Sequence, residues 1–357
     1  AVEQSRKLIE DVGVLAEVGT IGTAPNVAIQ KYLNGKQVPQ LFITAGGRRF
    51  NDPKTFPWTI PLYPDFETEG RVVAKYILTA KPDARIGVLY QNDDYGKDYL
   101  RGLRAGLGPK AELIVAQASY ELADPTIDSQ IVQLKAAGVD TLIEQSSSKA
   151  AAQSIRKVYE LGWKPLHVIG GSTASVETIL KPAGLEASKG LVTTQFLKQP
   201  GDPAWANDDE VKAYKDFLKT YAPSANPDDY SVLVAYMNVH AVEMALRKCG
   251  DDLTRENLIK QATSMKGERL PMMLPGVAIS TSTPRSISAS WSLNETPPMR
   301  RALVSLRCCV YLSKFSATWA ASSRVGQSTR LRGIRARARP CARRVIIGST
   351  KAAVLPV

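Results

Sequence analysis

Apolar and polar positions along residues 1 to about 200 repeat one unit. A short β-rich apolar run is followed by a turn, and then by a stretch with apolar residues three or four apart. The opening residues, with Val2, Leu8 and Ile9 apolar, read as the end of a helix. A strand over Val14 to Val18 follows, then a Gly-rich turn and a helix through Val27, Ile29 and Leu33. Gly35 stands where a left-handed cap would end that helix. Pro39 to Thr44 is the next strand, closing in Ala45-Gly46-Gly47.

The second series is cleaner. Strands are predicted over 85–90, 111–118, 140–144, 167–169 and 190–196, with helices over 68–78, 95–107, 127–137 and 149–161 and a short one from Ser175. Strands alternating with helices of this length mean βαβ units around a parallel sheet. After about Pro200 the pattern turns helical, over 208–221, 229–248 and 254–265. These helices suit a return to cover a sheet already laid down. The fold class expected is α/β, with two doubly wound lobes and crossing connections. Only two clear strands precede the Pro57 to Pro64 segment, too few for a doubly wound core. The expectation is that a first βαβ unit is missing ahead of Ala1.

Charge changes the picture only at one end. The chain carries a formal +12, yet residues 280–357 hold twelve Arg and two Lys against one acid, Glu295. Residues 1–279 are therefore close to neutral. Periodicity also stops at Ser280, and runs such as Arg332 to Pro340 carry Arg, Ala, Gly and Pro without pattern. Three readings stand for 280–357: an arginine-rich arm for nucleic acid or anionic lipid, an unstructured tail, or translation of a GC-rich gene out of frame. The abruptness of the switch favours the last, and no nucleic-acid partner is expected.

Other chemistry is narrowed by motif. Cys249 stands apart from Cys308, Cys309 and Cys341, and no spacing resembles a zinc site, so no metal or cofactor is expected. The Gly19 to Ala24 turn lacks the G-x-G-x-x-G spacing of a dinucleotide fold, and no nucleophile arrangement is recognisable, so an enzyme is not expected. Neither a helix-turn-helix nor a membrane-spanning run is recognisable, which disfavours a transcription regulator or a membrane receptor of this fold.

The turn Gly19 to Asn26 joins a strand end to a helix start. Its first-turn N–H groups and the helix dipole suit an anion such as a ligand carboxylate, with the Thr23 hydroxyl adding a further bond. An ordinary βα turn with a polar cap is the alternative.

Several segments carry a family resemblance: VGTIGTAPNVAIQKYLNGKQVPQLFITAGG, NDPKTFPWT, AKYILTAKPDARIGVLYQNDDYGKDYLRGLRAGLG and LPMMLPGVAIS. They occur in family order across residues 1 to about 280, and RIGVLYQNDDYGKDYLRGL is the most specific. The chain resembles the leucine/isoleucine/valine type of periplasmic solute-binding proteins of ABC importers, the type I periplasmic binding fold. The resemblance implies lobe one over 1–62 and 199–279, lobe two over 63–198, and 280–357 outside the fold, which would leave it incomplete at both ends. It implies a monomer in the periplasm that binds a small-molecule ligand between the lobes and delivers it to a membrane permease. A non-transport ligand-sensing domain of the same fold is the alternative.

The resemblance also points to Gly22 and Thr23, and to Gly46 and Arg48 in a second ligand-contacting turn. In lobe two it points to Ser147 and Ser172 at strand carboxyl ends, with Phe66 and Tyr95 packing on the ligand's body. Branched-chain binders of the family place a glutamate near Ser172 to pair the ligand's ammonium. Serine here leans the expected ligand toward a carboxylate, amide or aromatic acid, with Asp65 or Glu144 as possible substitutes for that glutamate.

Overall fold

The computed structural model describes residues 1–275, 277, 279–282, 286–287, 345–347 and 353–355. Helix α1 (Val2–Glu10) leads to β1 (Ala16–Val18), α2 (Thr23–Gly35), β2 (Gln40–Ile43) and β3 (Thr59–Pro61). Next come α3 (Phe66–Ala80), β4 (Ile86–Gln91), α4 (Asp94–Leu107), β5 (Ile114–Tyr120), α5 (Asp128–Ala136) and β6 (Thr141–Gln145). Then follow α6 (Ser148–Glu160), β7 (Leu166–Ile169), a π-turn over Val176–Leu180 running into α7 (Lys181–Ala183), and β8 (Val192–Thr193). Three helices succeed them, α8 (Asp209–Tyr221), α9 (Tyr230–Cys249) and α10 (Arg255–Thr263).

The strands form two five-stranded sheets, one in each lobe. The second has order β5-β4-β6-β7-β8 with every neighbouring pair parallel, a doubly wound arrangement whose strand order reverses beside β4. Its inner strands β4 and β6 are buried on both faces, which is why each carries adjacent apolar residues, Val88-Leu89 and Leu142-Ile143, while the edge strand β5 is partly exposed. In the first sheet β1 pairs β2 and β2 pairs β3, all parallel. On its other side β1 pairs parallel with β12 (Val345–Ile347), which pairs antiparallel with β13 (Ala353–Leu355). A small antiparallel sheet joins β9 (Lys266–Glu268), β10 (Ile279–Ser282) and β11 (Ser286–Ile287). Strands β10 to β13 thus include residues of 280–357, a segment expected to lie outside the fold; its other residues lie outside the described ones.

The long helix α9 packs against β2. Leu233, Val234, Met237 and Ala241 share one core with Val18, Leu41 and Phe42. That core continues into the second lobe through Tyr63, Phe66, Tyr95 and Phe196. The joint between the lobes is aromatic. Tyr63 meets Phe196 edge-on at 5.2 Å, and Phe66 meets Tyr95 edge-on at 4.8 Å. The Phe196–Lys198 strand runs back beside Met272–Leu274, with Lys198 N–H to Met272 C=O at 2.7 Å and Leu274 N–H to Phe196 C=O at 3.0 Å.

Beside this joint Lys198 is only 5% exposed. Its Nζ is paired with Asp208 at 2.6 Å and Glu210 at 3.0 Å, which offsets the cost of burying its charge.

Two local expectations are corrected. The left-handed residue after α2 is Gln37, with φ 52°, and Gly35 is the last residue of the helix itself. Strand β3 lies inside the Pro57 to Pro64 segment, where no strand is predicted. It is a short outer strand, where Pro61 leaves no central ladder bond unmade.

Candidate functional site

Between the lobes, at the carboxyl ends of β1, β2, β4, β6 and β7, lies a cleft of about 280 Å³. Open α/β sheets bind ligands at such strand ends, and this volume is just below the roughly 300–1,000 Å³ usual for small-molecule sites. Lobe one contributes Ile21 to Pro25, Thr44 and Ala45, and the start of α9 with Tyr230, Ser231 and Val234. Facing them are Tyr63, Phe66, Gln91, Tyr95, Leu122, Ser146 to Ser148, Ser172 and Thr173.

The turn before α2 is held by its own buried amide. Asn26 Nδ2 donates to the carbonyls of Thr20 at 2.9 Å and Gly22 at 2.7 Å, while Asn26 Oδ1 accepts from Gln40 Nε2 at 2.9 Å. Gly22 caps the helix at φ 96°, a conformation that favours glycine. No side chain caps α2, so the N–H groups of Thr23 and Ala24, two residues lining the cleft, are left without a side-chain cap. Next to them Thr44 Oγ1 accepts from Asn238 Nδ2 at 3.0 Å, which leaves the Thr44 proton to be donated elsewhere.

The opposite wall is built on tyrosines. Tyr95 Oη lies 3.1 Å from the Ser146 carbonyl and 2.8 Å from Ser172 Oγ. Tyr120 Oη accepts from the N–H of Ser147, the residue just before α6, at 2.7 Å. Burial pushes the phenols of Tyr63, Tyr95 and Tyr230 well above their ordinary range, so they remain protonated.

Behind Ser172 sits Glu69, wholly within the protein. Its Oε1 accepts from the Gly171 N–H at 2.8 Å and from Thr194 Oγ at 2.5 Å. Burial raises its carboxyl, while these donors and Gln145 pull it back.

Six of the eight residues expected at a ligand site line the cleft: Gly22, Thr23, Phe66, Tyr95, Ser147 and Ser172. Gly46 and Arg48 stand away from it. At Gly46 the chain turns against the start of α3, with Phe66 N–H to Gly46 C=O at 3.0 Å. A Cβ there would lie 2.1 Å from the Pro64 carbonyl. Arg48 continues outward, its N–H on Asp98 Oδ2 at 2.7 Å and its guanidinium 3.5 Å from Glu67. Arg49 follows it and pairs with Asp94 at 2.9 Å. These contacts tie the lobes together beside the cleft.

Neither proposed substitute carboxylate is free. Asp65 caps α3 through the N–H and hydroxyl of Thr68. Glu144 is buried on His167 Nε2 at 2.5 Å and Ser146 Oγ at 3.0 Å. Among the described residues lining the cleft there is no Asp, Glu, Lys, Arg or His. Tyr63, Gln91, Leu122 and the Tyr230–Val234 turn were not singled out in the sequence. The Asp229 cap marks the start of α9, but its approach to the cleft is set by packing on β2, which no local pattern encodes. No group of three or more His, Cys, Asp or Glu side chains among the described residues is placed to hold a metal.

Two α/β lobes, joined by an aromatic hinge and facing each other across a hydroxyl-lined cleft, define a hinged small-molecule binding fold. A sequence profile of the family described as periplasmic binding protein matches residues 1–286, and the chain belongs to that family. Its fold is the type I periplasmic binding fold. A Leu/Ile/Val-binding protein homolog 8 of Brucella abortus is 19% identical over 257 residues, which are 69% of this chain and 62% of that protein. The chain thus spans less than two thirds of that relative. A substrate-binding periplasmic protein from Ralstonia solanacearum superposes with a TM-score of 0.71 at 21% identity, covering 80% of this chain and 79% of the other. A branched-chain amino acid ABC transporter protein from Thermus thermophilus, solved with bound valine, superposes with a TM-score of 0.61 at 16% identity, covering 81% and 74%.

Proposed function

We propose that the protein is an extracytoplasmic solute-binding component of an ABC importer, which captures a small ligand in the cleft and presents it to a membrane permease. The carrying observation is the cleft itself, with hydroxyls and aromatic rings from both lobes converging at the strand carboxyl ends. In this reading residues 1–62 and 199–279, with β12 and β13 at the edge of their sheet, form one lobe and 63–198 the other. Closure of the two is the signal to the permease, a two-state motion biased by ligand. Gly22, Thr23 and Thr44 receive a ligand carboxylate, Phe66 and Tyr95 hold its body, and Ser147 and Ser172 complete the far wall. The family and its named relatives support transport over catalysis and a periplasmic location. No helix among the described residues is long and apolar enough to cross a membrane.

Ile21 and Leu122 support closure as the working motion. They are 52% and 57% exposed at the cleft, one from each lobe, and approach of the lobes would remove that apolar surface from water. The test is native mass spectrometry of the purified chain after exposure to a bacterial metabolite extract, with small-angle scattering alongside. The expected result is one retained small molecule and a smaller radius of gyration. A chain that retains nothing and keeps its radius would sink the reading.

A further inference from the structure

We propose that the Tyr95–Ser172 pair makes the cleft select a neutral O–H or N–H donor on the ligand over an ammonium group. The proposal rests on the solute-capture reading and names the ligand chemistry that reading leaves open.

A count of protons at one tyrosine carries the argument. The Tyr95 hydroxyl has a single proton, and the Ser146 carbonyl 3.1 Å away can only accept. That carbonyl is buried and takes its donor from Tyr95, which assigns the proton to Ser146. Geometry allows either hydroxyl to donate in the second bond, 2.8 Å long; with the Tyr95 proton on Ser146, Tyr95 accepts there and Ser172 Oγ donates. Once its own proton is committed to Tyr95, Ser172 offers the cleft only lone pairs. A hydroxyl that could have served either role has become a fixed acceptor.

The phenol cannot escape this role by ionising, since burial holds its proton well above the ordinary phenol range. Turning that proton onto Ser172 instead would take the donor from the buried Ser146 carbonyl.

A fixed neutral acceptor is matched by a ligand hydroxyl or amide N–H. An ammonium could also donate to it, but would bring a full positive charge into a cleft whose described walls carry no carboxylate. Asp65, Glu69, Asp93 and Glu144, acids behind those walls, are each committed to protein donors. Burying a cation without a counter-charge is costly, whereas a hydroxyl of the same size carries no such cost. The favoured ligand is therefore a small carboxylate with an apolar or aromatic body and one neutral donor, such as a hydroxy acid or an amide acid.

Two isosteric pairs test this by calorimetric titration of the full chain: 3-phenyllactate against phenylalanine, and 4-(hydroxymethyl)benzoate against 4-(aminomethyl)benzoate. In whichever pair binds, the hydroxyl member is expected to bind at least about tenfold tighter than the ammonium member. Ser172→Ala should weaken the hydroxyl member and narrow the ratio. Ser172→Glu, checked for folding by circular dichroism, should reverse it. Tyr95→Phe frees the Ser172 proton and should also narrow the ratio. Equal or tighter binding of the ammonium member to the unaltered chain overturns the proposal and leaves solute capture standing. An unchanged ratio in both Ser172 variants overturns it too. Failure of all four probes to bind overturns the ligand chemistry, and solute capture falls with it only if the metabolite extract also leaves nothing on the protein.

Discussion

The hydroxyl of Tyr63 lies 3.2 Å from the hydroxyl of Tyr230, one at the start of the second lobe and the other at the first turn of α9. Both residues are buried and both line the cleft, so this bond joins the lobes at its wall. Removing either hydroxyl leaves the other without its partner. Tyr230→Phe is expected to cost about 1 kcal/mol in urea unfolding. The Tyr63→Phe/Tyr230→Phe double variant should cost less than the sum of the two single changes. Additive losses would show that the hydroxyls do not act as a pair.

Gly46 admits no side chain. The 2.1 Å approach of a built Cβ to the Pro64 carbonyl is a clash with backbone, which has no rotamer to relieve it. Gly46→Ala is therefore expected to destabilise by about 1–3 kcal/mol and to displace the start of α3, which carries Phe66 into the cleft. Thermal unfolding measures the first effect. Loss of binding of whatever the metabolite extract supplies measures the second, and retention of full affinity would show that the turn does not position Phe66.

Glu210 provides a pH-sensitive tie beside the hinge. Hydrogen bonding from Arg269, with help from Lys198, holds its carboxyl at about 2, below the ordinary 4.5. A depressed folded-state value means that the charged form stabilises the fold above about pH 4.5, and that this contribution is lost as pH falls from there toward 2. Glu210→Gln should thus destabilise the fold at pH 6 by an amount on the order of 1–3 kcal/mol, read as a lower melting temperature. The two melting curves should converge near the acid end of the window. A gap that stays constant down to the acid limit would mean that the side chain acts through packing and not through charge.

Much of this architecture was legible because a strand buried on both faces writes itself as a short apolar run. Val88, Leu89, Leu142 and Ile143 are wholly buried in such runs, and amphipathic helices separate them. β3 was hidden because three residues ending in proline carry no periodicity. At the site, Gly22 and Thr23 were legible since a strand, a Gly-rich turn and a helix start follow one another directly. Arg48 was not, because a turn after a strand does not say which way the chain leaves it. Here the Gly46–Phe66 backbone bond sends it outward, toward Asp98 and Glu67. The Tyr230 face was out of reach for a different reason: residues near 230 meet residues near 22 and 63 only through the return of α9.

That return has a kinetic side. All five strands of the second sheet lie between residues 86 and 193, and each is joined to its neighbour in sequence by one local excursion. The first sheet waits for α9, which begins at Tyr230, and for β12, which begins at Val345. Closing such long loops is entropically slower. During synthesis and refolding alike, the second lobe should mature first and serve as the surface on which the first assembles. Pulsed hydrogen exchange should find the amides of β4 and β6 protected before those of β1 and β2, and simultaneous protection would contradict this order. The lobe that forms first carries Tyr95 and Ser172, so the wall that reads the ligand exists before there is a cleft to hold one.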